Sequence, residues 1–554
     1  ASLLTAFPSD RMSWMGLAIA HDLNGEYMTA SKIIDELERS SSTEMTLVEK
    51  REHLLYKVRL LIMQSKFSEA LDSLSCISHN TLDRKIVLLR AECLMHMGEI
   101  SLAESMYRSV LLELPESMEV ISAIVSIKVS FAFSGNFEDY DGDLEKREEI
   151  KRVLDELTTS PLAKNISLGL TCGSEFSARF RYYVTPYVEM NIQSIFSDIK
   201  RFYKSSERTA QIENCLKDIE KELVGNGNFL GRKFYNPTAL LWVYLLLCMQ
   251  YIRISNIPMA YHYLTKSRDH TPTADMVYVL EARLSKINKD KKTLLHALKM
   301  TTRIDPKDRF SSNRYVKHLI RNHEYEHAAS IFKNFNEIRE KDILKHIVDI
   351  QCIWYEHELA MASYATGDIL TALQLFLLII NHFRDFRNHE GEFYVYCLRR
   401  GTYCAYIDTL ESNSKLTTHP SWIRAAVGAV RCLVDVFDAG GKLNLELKRT
   451  PYGRVIADND FIGELPDLTH PLAKAVDLLK NLERFGNTDP NTLLQYSLVH
   501  LKLKNYNMAA EKLRSALILG GLSDSRVRGI VTELEKVKSL EPAVEELHLL
   551  LRAA

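Results

Sequence analysis

The chain has 554 residues, with 70 Lys and Arg against 72 Asp and Glu, a balance that makes no bulk electrostatic claim on nucleic acid or on an acidic membrane. Hydrophobic residues make up 46% and charged residues 26%, which suits a soluble chain with a large core. The 22 Gly and 14 Pro are too few turn-formers for a β-rich protein of this length, so an all-α fold is expected.

Nine cysteines stand singly along the chain, without a CxxC pair. That argues against a disulfide framework and a zinc cluster, and for reduced thiols in the cytoplasm. The first residues, ASLLTAFPSDRMSW, lack the basic start and long apolar core of a secretion signal. The apolar runs Ala239–Met249 and Leu373–Ile380 fall short of the roughly 20 residues that a membrane helix needs.

Residues 1–134 read as repeat units of tetratricopeptide type. Trp14, Leu17, Ala18 and His21, followed by Ala30 and Ile34, fit the pattern of a large and a small residue on one helix and a small residue on the next. Ala91, Gly98, Ala103, Tyr107 and Pro115 fit it again, and a further unit centres on Ala70. Residues 135–235 break the rhythm: GNFEDYDGD and a passage through Gly173 predict an irregular helical segment.

The central array, 236–437, has the firmest period. Pro272 and Pro306, and likewise Leu294 and Ala328, are 34 residues apart, one tetratricopeptide unit. Ala260 and Ala372 hold equivalent slots. Arg314, Lys317 and Arg321 follow an i, i+3, i+7 spacing that sets three cations on one helix face beside His318. The next turn carries His323-Glu324-Tyr325-Glu326-His327, a literal HExxH. In the repeat frame Tyr325 opens a second helix, so His323 falls in the turn and the imidazoles do not share the helix face that zinc would need. Residues 438–468, with Gly440-Gly441, Pro451, Gly453 and Pro466, read as a linker, and 469–554 as a last helical section containing Ala509.

Stacked helix pairs of this kind make one continuous core and a superhelix, ring- or horseshoe-shaped. The alternative is an irregular helical bundle. Enzyme chemistry is not apparent: no Arg/Gln-x-x-Gly-x-Gly/Ala string, Walker A sequence, GxGxxG or GxSxG occurs.

Several segments resemble, in order, the auxiliary subunit family of the NatA N-terminal acetyltransferase. RMSWMGLAIAHDLNGEYMTA (11–30) is similar to the family's SWIGYAIA-type helix. TALLWV (238–243), HTPT (270–273) and Asp308-Arg309-Phe310 follow in the family's order. Gln351-Cys352-x-Trp354 with Glu358 and Tyr364, then EFYVYCLRR (392–400) and Tyr406-x-Asp408-x-Leu410, continue it, as do His419-Pro420 and Pro471-Leu472.

The resemblance implies a non-catalytic superhelix that wraps a catalytic N-acetyltransferase subunit, tunes it for small N-terminal residues and docks at the ribosome. It implies no membrane and no sequence-specific nucleic acid. It places partner contacts at Trp354, Glu358, Tyr364, Phe393, Tyr396, Arg399 and Arg400. It also implies inositol hexakisphosphate on Arg314, Lys317, Arg321 and His318, with no metal. Three departures qualify it. Ala365-Thr366 stands where the family has Lys-Arg, the charged insert is reduced to 438–468, and the family's earliest repeats are expected to be missing from this chain. A generic tetratricopeptide adaptor for peptide or chaperone tails is the competing reading, distinguished by a compact three-unit groove; an enzyme with an unrecognised site is the third.

Overall fold

Apolar stripes separated by short polar turns fold as helix pairs, and the computed structural model is built from them. It describes residues 4, 10–40, 46–76, 83–129, 131–140, 142–225, 228–229, 232–233, 236–336, 343–440, 456, 465, 467–484, 489–519, 525–537 and 541–553. Most of the expected 438–468 linker lies outside the described residues. Two compact units divide the chain, Ala1–Asp305 with Cys397–Cys404, and Pro306–Tyr396 with Ala405–Ala554. The division falls inside the predicted central array, where no change in composition marks it.

In the first unit, α1 (Arg11–Leu23) pairs with α2 (Tyr27–Ser40), α3 (Leu47–Met63) with α4 (Phe67–Ser75), and α5 (Arg84–His96) with α6 (Ile100–Glu113). A less regular stretch follows: α7 (Met118–Val129), a 3-10 turn at Phe137–Tyr140, α8 (Leu144–Glu156), α9 (Pro161–Leu170), α10 (Gly173–Glu189), α11 (Ile195–Ile199) and α12 (Ser206–Gly225). A two-residue antiparallel hairpin, β1 (Asn228–Phe229) with β2 (Arg232–Lys233), adds the one ladder among the described residues. Pairing then resumes as α13 (Thr238–Arg253) with α14 (Ile257–His270) and α15 (Asp275–Ile287) with α16 (Lys291–Ile304). One core runs without interruption from Ala91 to Leu284.

The second unit opens with α17 (Arg309–Arg321) paired to α18 (Tyr325–Phe335), followed by α19 (Ile343–Asp349), α20 (Ile353–Ala365), α21 (Ile369–Arg400) and α22 (Tyr403–Ser414). The last residues of α21 and the first of α22 belong to the first unit. Then come α23 (Pro420–Asp438), α24 (Pro471–Arg484), α25 (Pro490–Lys502), α26 (Tyr506–Ile518), α27 (Ser525–Glu535) and α28 (Glu541–Ala553).

One small-residue slot recurs. Ala30, Ala70, Ala103, Ala260, Leu294, Ala328, Ala372 and Ala509 each occupy the fourth position of the second helix of a pair, and all are buried. At seven of the eight the side chain is a methyl, which lets two helix backbones close up, and Leu294 is the exception. The starts of α14, α16 and α18 (Ile257, Lys291, Tyr325) are 34 residues apart, so the period read from the sequence is the period of the helices.

The turns between paired helices are equally regular. Ser65, Ser255, Lys289, His323 and Lys504 adopt positive φ, as do Gly25, Gly98 and Gly367 at the matching place. In each, the N–H of the following residue reaches the carbonyl five back, as Lys66 does to Leu61 and Glu324 to Leu319 at 2.9 Å. This is a Schellman closure, which satisfies carbonyls that the helix end would leave open.

By length and composition α21 would pass as a membrane span. Its first half is instead a core helix, with Ala372, Leu373, Leu375, Phe376 and Ile379 buried within the second unit. Beyond Arg384 most of its described side chains are exposed, although Cys397 is buried.

Candidate functional site

The expected cation row sits on α17. Asp308 caps the helix by accepting from the N–H of Phe310 (3.1 Å) and of Ser311 (2.9 Å). With the register so set, Tyr315, Val316, Leu319 and Ile320 go to the core and Arg314, Lys317 and Arg321 to the opposite side. The guanidinium of Arg314 lies 4.5 Å above the Phe310 ring, and His318 is half-buried.

The row is organised around a carboxylate that the spacing did not reveal. Glu358 of α20 is buried, and Lys317 Nζ lies 2.8 Å from its Oε1. Arg321 holds it with both edges, Nε to Oε2 at 2.6 Å and Nη2 to Oε1 at 2.9 Å. Burial pushes the Glu358 carboxyl up, but hydrogen bonds from Arg321 and Lys317 outweigh it and leave it below the usual glutamate range. The Lys317 and Arg321 side chains remain 38% and 42% exposed, so both still present donors to solvent. Burial holds the neighbouring His357 below its ordinary range; Glu358 opposes this, while Arg424, Lys317 and Arg321 add to it.

The expected partner contacts separate into two groups. Glu358 is taken up by that ion-pair cluster. Trp354 packs 6.1 Å from Phe332 and 5.5 Å from Tyr355, and the Tyr364 hydroxyl donates to Asp435 Oδ2 at 2.8 Å. Of these three Glu358 is buried, while Trp354 and Tyr364 are half-buried. Phe393 and Tyr396, in contrast, are stacked on the exposed side of α21 with centroids 6.2 Å apart, beside exposed Val395. Arg399 and Arg400, in the last turn of the same helix, are exposed as well. Exposed aromatic side chains with nearby arginines are the chemistry of interface anchors.

His323 lies in the turn at φ 63°, with Nδ1 2.9 Å from the Tyr325 hydroxyl. His327 is on α18, with Nδ1 3.3 Å from Glu324 Oε2. The two imidazoles therefore do not share a helix, as the repeat frame implies. No group of three or more His, Cys, Asp or Glu side chains is placed to hold a metal among the described residues.

A second buried pair escaped the sequence reading: Glu356 and His382, both buried, meet at 2.9 Å. Burial pushes the Glu356 carboxyl up, against the pull of His382. The signal available was a glutamate inside the apolar run IWYEHELAMASYA.

A family model described as N-terminal acetyltransferase A, auxiliary subunit, matches residues 48–453. The N-terminal acetyltransferase A complex auxiliary subunit NAA15 of Arabidopsis thaliana is 26% identical over 444 residues, covering 79% of this chain and 49% of that protein. The N-alpha-acetyltransferase 16, NatA auxiliary subunit, of Mus musculus is 23% identical over 446 residues, covering 79% and 50%. The chain thus spans about half the length of the curated relatives it matches. Among solved structures, that of Naa15/Naa10 bound to HypK-THB superposes with a TM-score of 0.79 at 23% identity, covering 100% of this chain and 80% of that one. This likeness bears on the fold.

Proposed function

The chain belongs to the NatA auxiliary subunit family, and from that premise we propose that it is a non-catalytic scaffold for a catalytic N-acetyltransferase subunit. In this reading the helical array holds the catalytic partner and stabilises one conformation of its active site. The partner then accepts small N-terminal residues during translation. Such tuning is differential binding: contacts made in one state and not in the other shift the population towards it. The observation that carries the reading is the family match over most of the chain, supported by the absence of an acetyl-CoA-binding string from the sequence. The stacked Phe393 and Tyr396, with Arg399 and Arg400, are the residues assigned to partner contact.

Two further assignments accompany it. Arg314, Lys317, Arg321 and His318 are proposed to receive inositol hexakisphosphate, since charge-assisted hydrogen bonds to phosphate suit cations that keep exposed donors. A ribosome-associated, cytoplasmic complex is the setting proposed for it. Co-expression with the catalytic subunit of the same organism tests the central claim: a stable complex on size exclusion is expected, and failure to co-purify overturns it. Capture of chaperone tails in its place would favour the adaptor reading.

A further inference from the structure

The first unit contains a groove of about 1340 Å³ bounded by α8, α9, α10 and α11. That exceeds the roughly 300–1,000 Å³ of small-molecule sites. Its sides are apolar and aromatic, with Pro161, Leu162, Tyr182, Tyr187 and Met190 among them, and Tyr182 is 74% exposed.

Among its lining residues is an arginine, Arg201, that has no counter-ion among the described residues. Arg201 stacks 4.7 Å above the Phe137 ring and donates to the Asn165 side-chain oxygen. It enters no ion pair among the described residues, and its buried Nε has no hydrogen-bond partner there. Asn165 is itself buried and fixed, with Nδ2 donating to the Tyr183 hydroxyl (3.2 Å) and to the Asp198 carbonyl (3.4 Å). Burial holds the Arg201 pKa below its ordinary value, and nearby Asp198 and Glu138 oppose this without pairing with it. A partly desolvated guanidinium kept in this way is short of the anion that would offset its burial.

The other charges in the groove do not fill that role. Asp155 is taken by Arg179 at 2.8 and 2.9 Å. The Asp198 carboxyl is pushed up by burial and by Glu116, so it is a weakened acid. Lys164 and Lys200, both exposed, line the groove without an ion pair among the described residues. Three cations without an ion pair among the described residues, Arg201, Lys164 and Lys200, stand against Glu116 and the weakened Asp198, a small excess of positive charge beside apolar walls. A compact polyanion would use the cations and waste the walls; a segment with both acidic and apolar side chains uses both.

We propose that this groove docks an extended acidic peptide segment, one carboxylate of which is held by Arg201 while its apolar side chains lie against Tyr182, Tyr187 and Met190. The groove shares no residue with the set assigned to the catalytic subunit, and the proposal does not rest on that assignment.

Fluorescence anisotropy on the full chain tests it, using a fluorescein-labelled glutamate–leucine peptide and its lysine–leucine counterpart as probes. The acidic peptide is expected to bind at least about tenfold tighter, and Arg201→Gln to weaken it by about tenfold, the scale of one hydrogen bond to a charged group. Tyr182→Ala and Lys164→Glu change exposed positions and keep the test available if Arg201→Gln does not fold. Each is expected to weaken the acidic probe about threefold at an unchanged melting temperature. Equal affinity for the two peptides, or acidic binding indifferent to Tyr182→Ala and Lys164→Glu, overturns the proposal. So does a single-stranded RNA oligonucleotide that binds with the same Arg201 dependence while the peptide does not.

Discussion

Arg321 closes on Glu358 with both edges of its guanidinium, at 2.6 and 2.9 Å. The partly exposed cation thereby shields a buried carboxylate. Removing the charge by Glu358→Gln leaves Lys317 and Arg321 without their common anion, and the stability lost is expected to be about 2 kcal/mol. This is below the ~3–5 kcal/mol of a fully buried pair because both cations still reach water. The folded-state pKa of Glu358 is lowered, so its contribution is complete above the ordinary value of 4.5 and is lost as the pH falls through the lowered folded value. Urea unfolding of both proteins at neutral and acidic pH is expected to show the difference at neutral pH and its disappearance in acid.

The same substitution has an opposite expected effect on anion binding. With Glu358 neutral, Lys317 and Arg321 are released from their pairing, so inositol hexakisphosphate should bind more tightly, by about tenfold for the scale of a charged hydrogen bond. Calorimetric titration checks this. Unchanged or weaker binding in Glu358→Gln would remove the α17 cations from the proposed phosphate site.

His323 adopts a backbone conformation that costs a side-chain-bearing residue about 1 kcal/mol relative to glycine. His323→Gly is therefore expected to raise the melting temperature, with no response to zinc or to a chelator in either protein. A zinc-dependent stabilisation of the unsubstituted chain that the variant loses would restore the HExxH string as a metal site.

Gly428 lies on α23 against Phe376 of α21, where a Cβ would come within 2.5 Å of the ring. Phe376 is buried, so Gly428→Ala is expected to cost about 1–3 kcal/mol through overpacking. The double variant Gly428→Ala/Phe376→Leu should recover part of it. Denaturant unfolding of the four members of this cycle measures the coupling; additive costs would contradict the contact.

Phe393→Glu and Tyr396→Glu place charge on the exposed aromatic pair of α21. Each is expected to reduce co-purification of the catalytic subunit at least about tenfold, the scale of an interface hot spot, with the melting temperature unchanged. Intact co-purification in both variants would move the contact surface elsewhere.

The repeat, its period and the small-residue slots were legible because burying one face of each helix in a pair requires them at fixed spacings. Tyr325 as the start of a helix, and hence His323 in a turn, followed from the same register. The electrostatics of the site were not legible. The spacing of Arg314, Lys317 and Arg321 shows that they share a face, but not that Glu358, 37 positions beyond Arg321, meets two of them. Glu356 was hidden for the same reason, since His382 comes from another helix. Beside the groove, Arg201 meets Asn165 and the buried Phe137, which no periodic pattern links.

The turn closures of the paired helices have a consequence for how the chain acquires its fold. Each closing hydrogen bond spans five residues, so a turn can form as soon as its own segment is available, with little loop-closure entropy to overcome. Assembly from such local pieces lowers contact order and favours rapid folding. Nucleation can begin at any pair and spread to its neighbours, so the succession of turns that gives the array its period also lets it be built in stages, from one end of the chain, during synthesis.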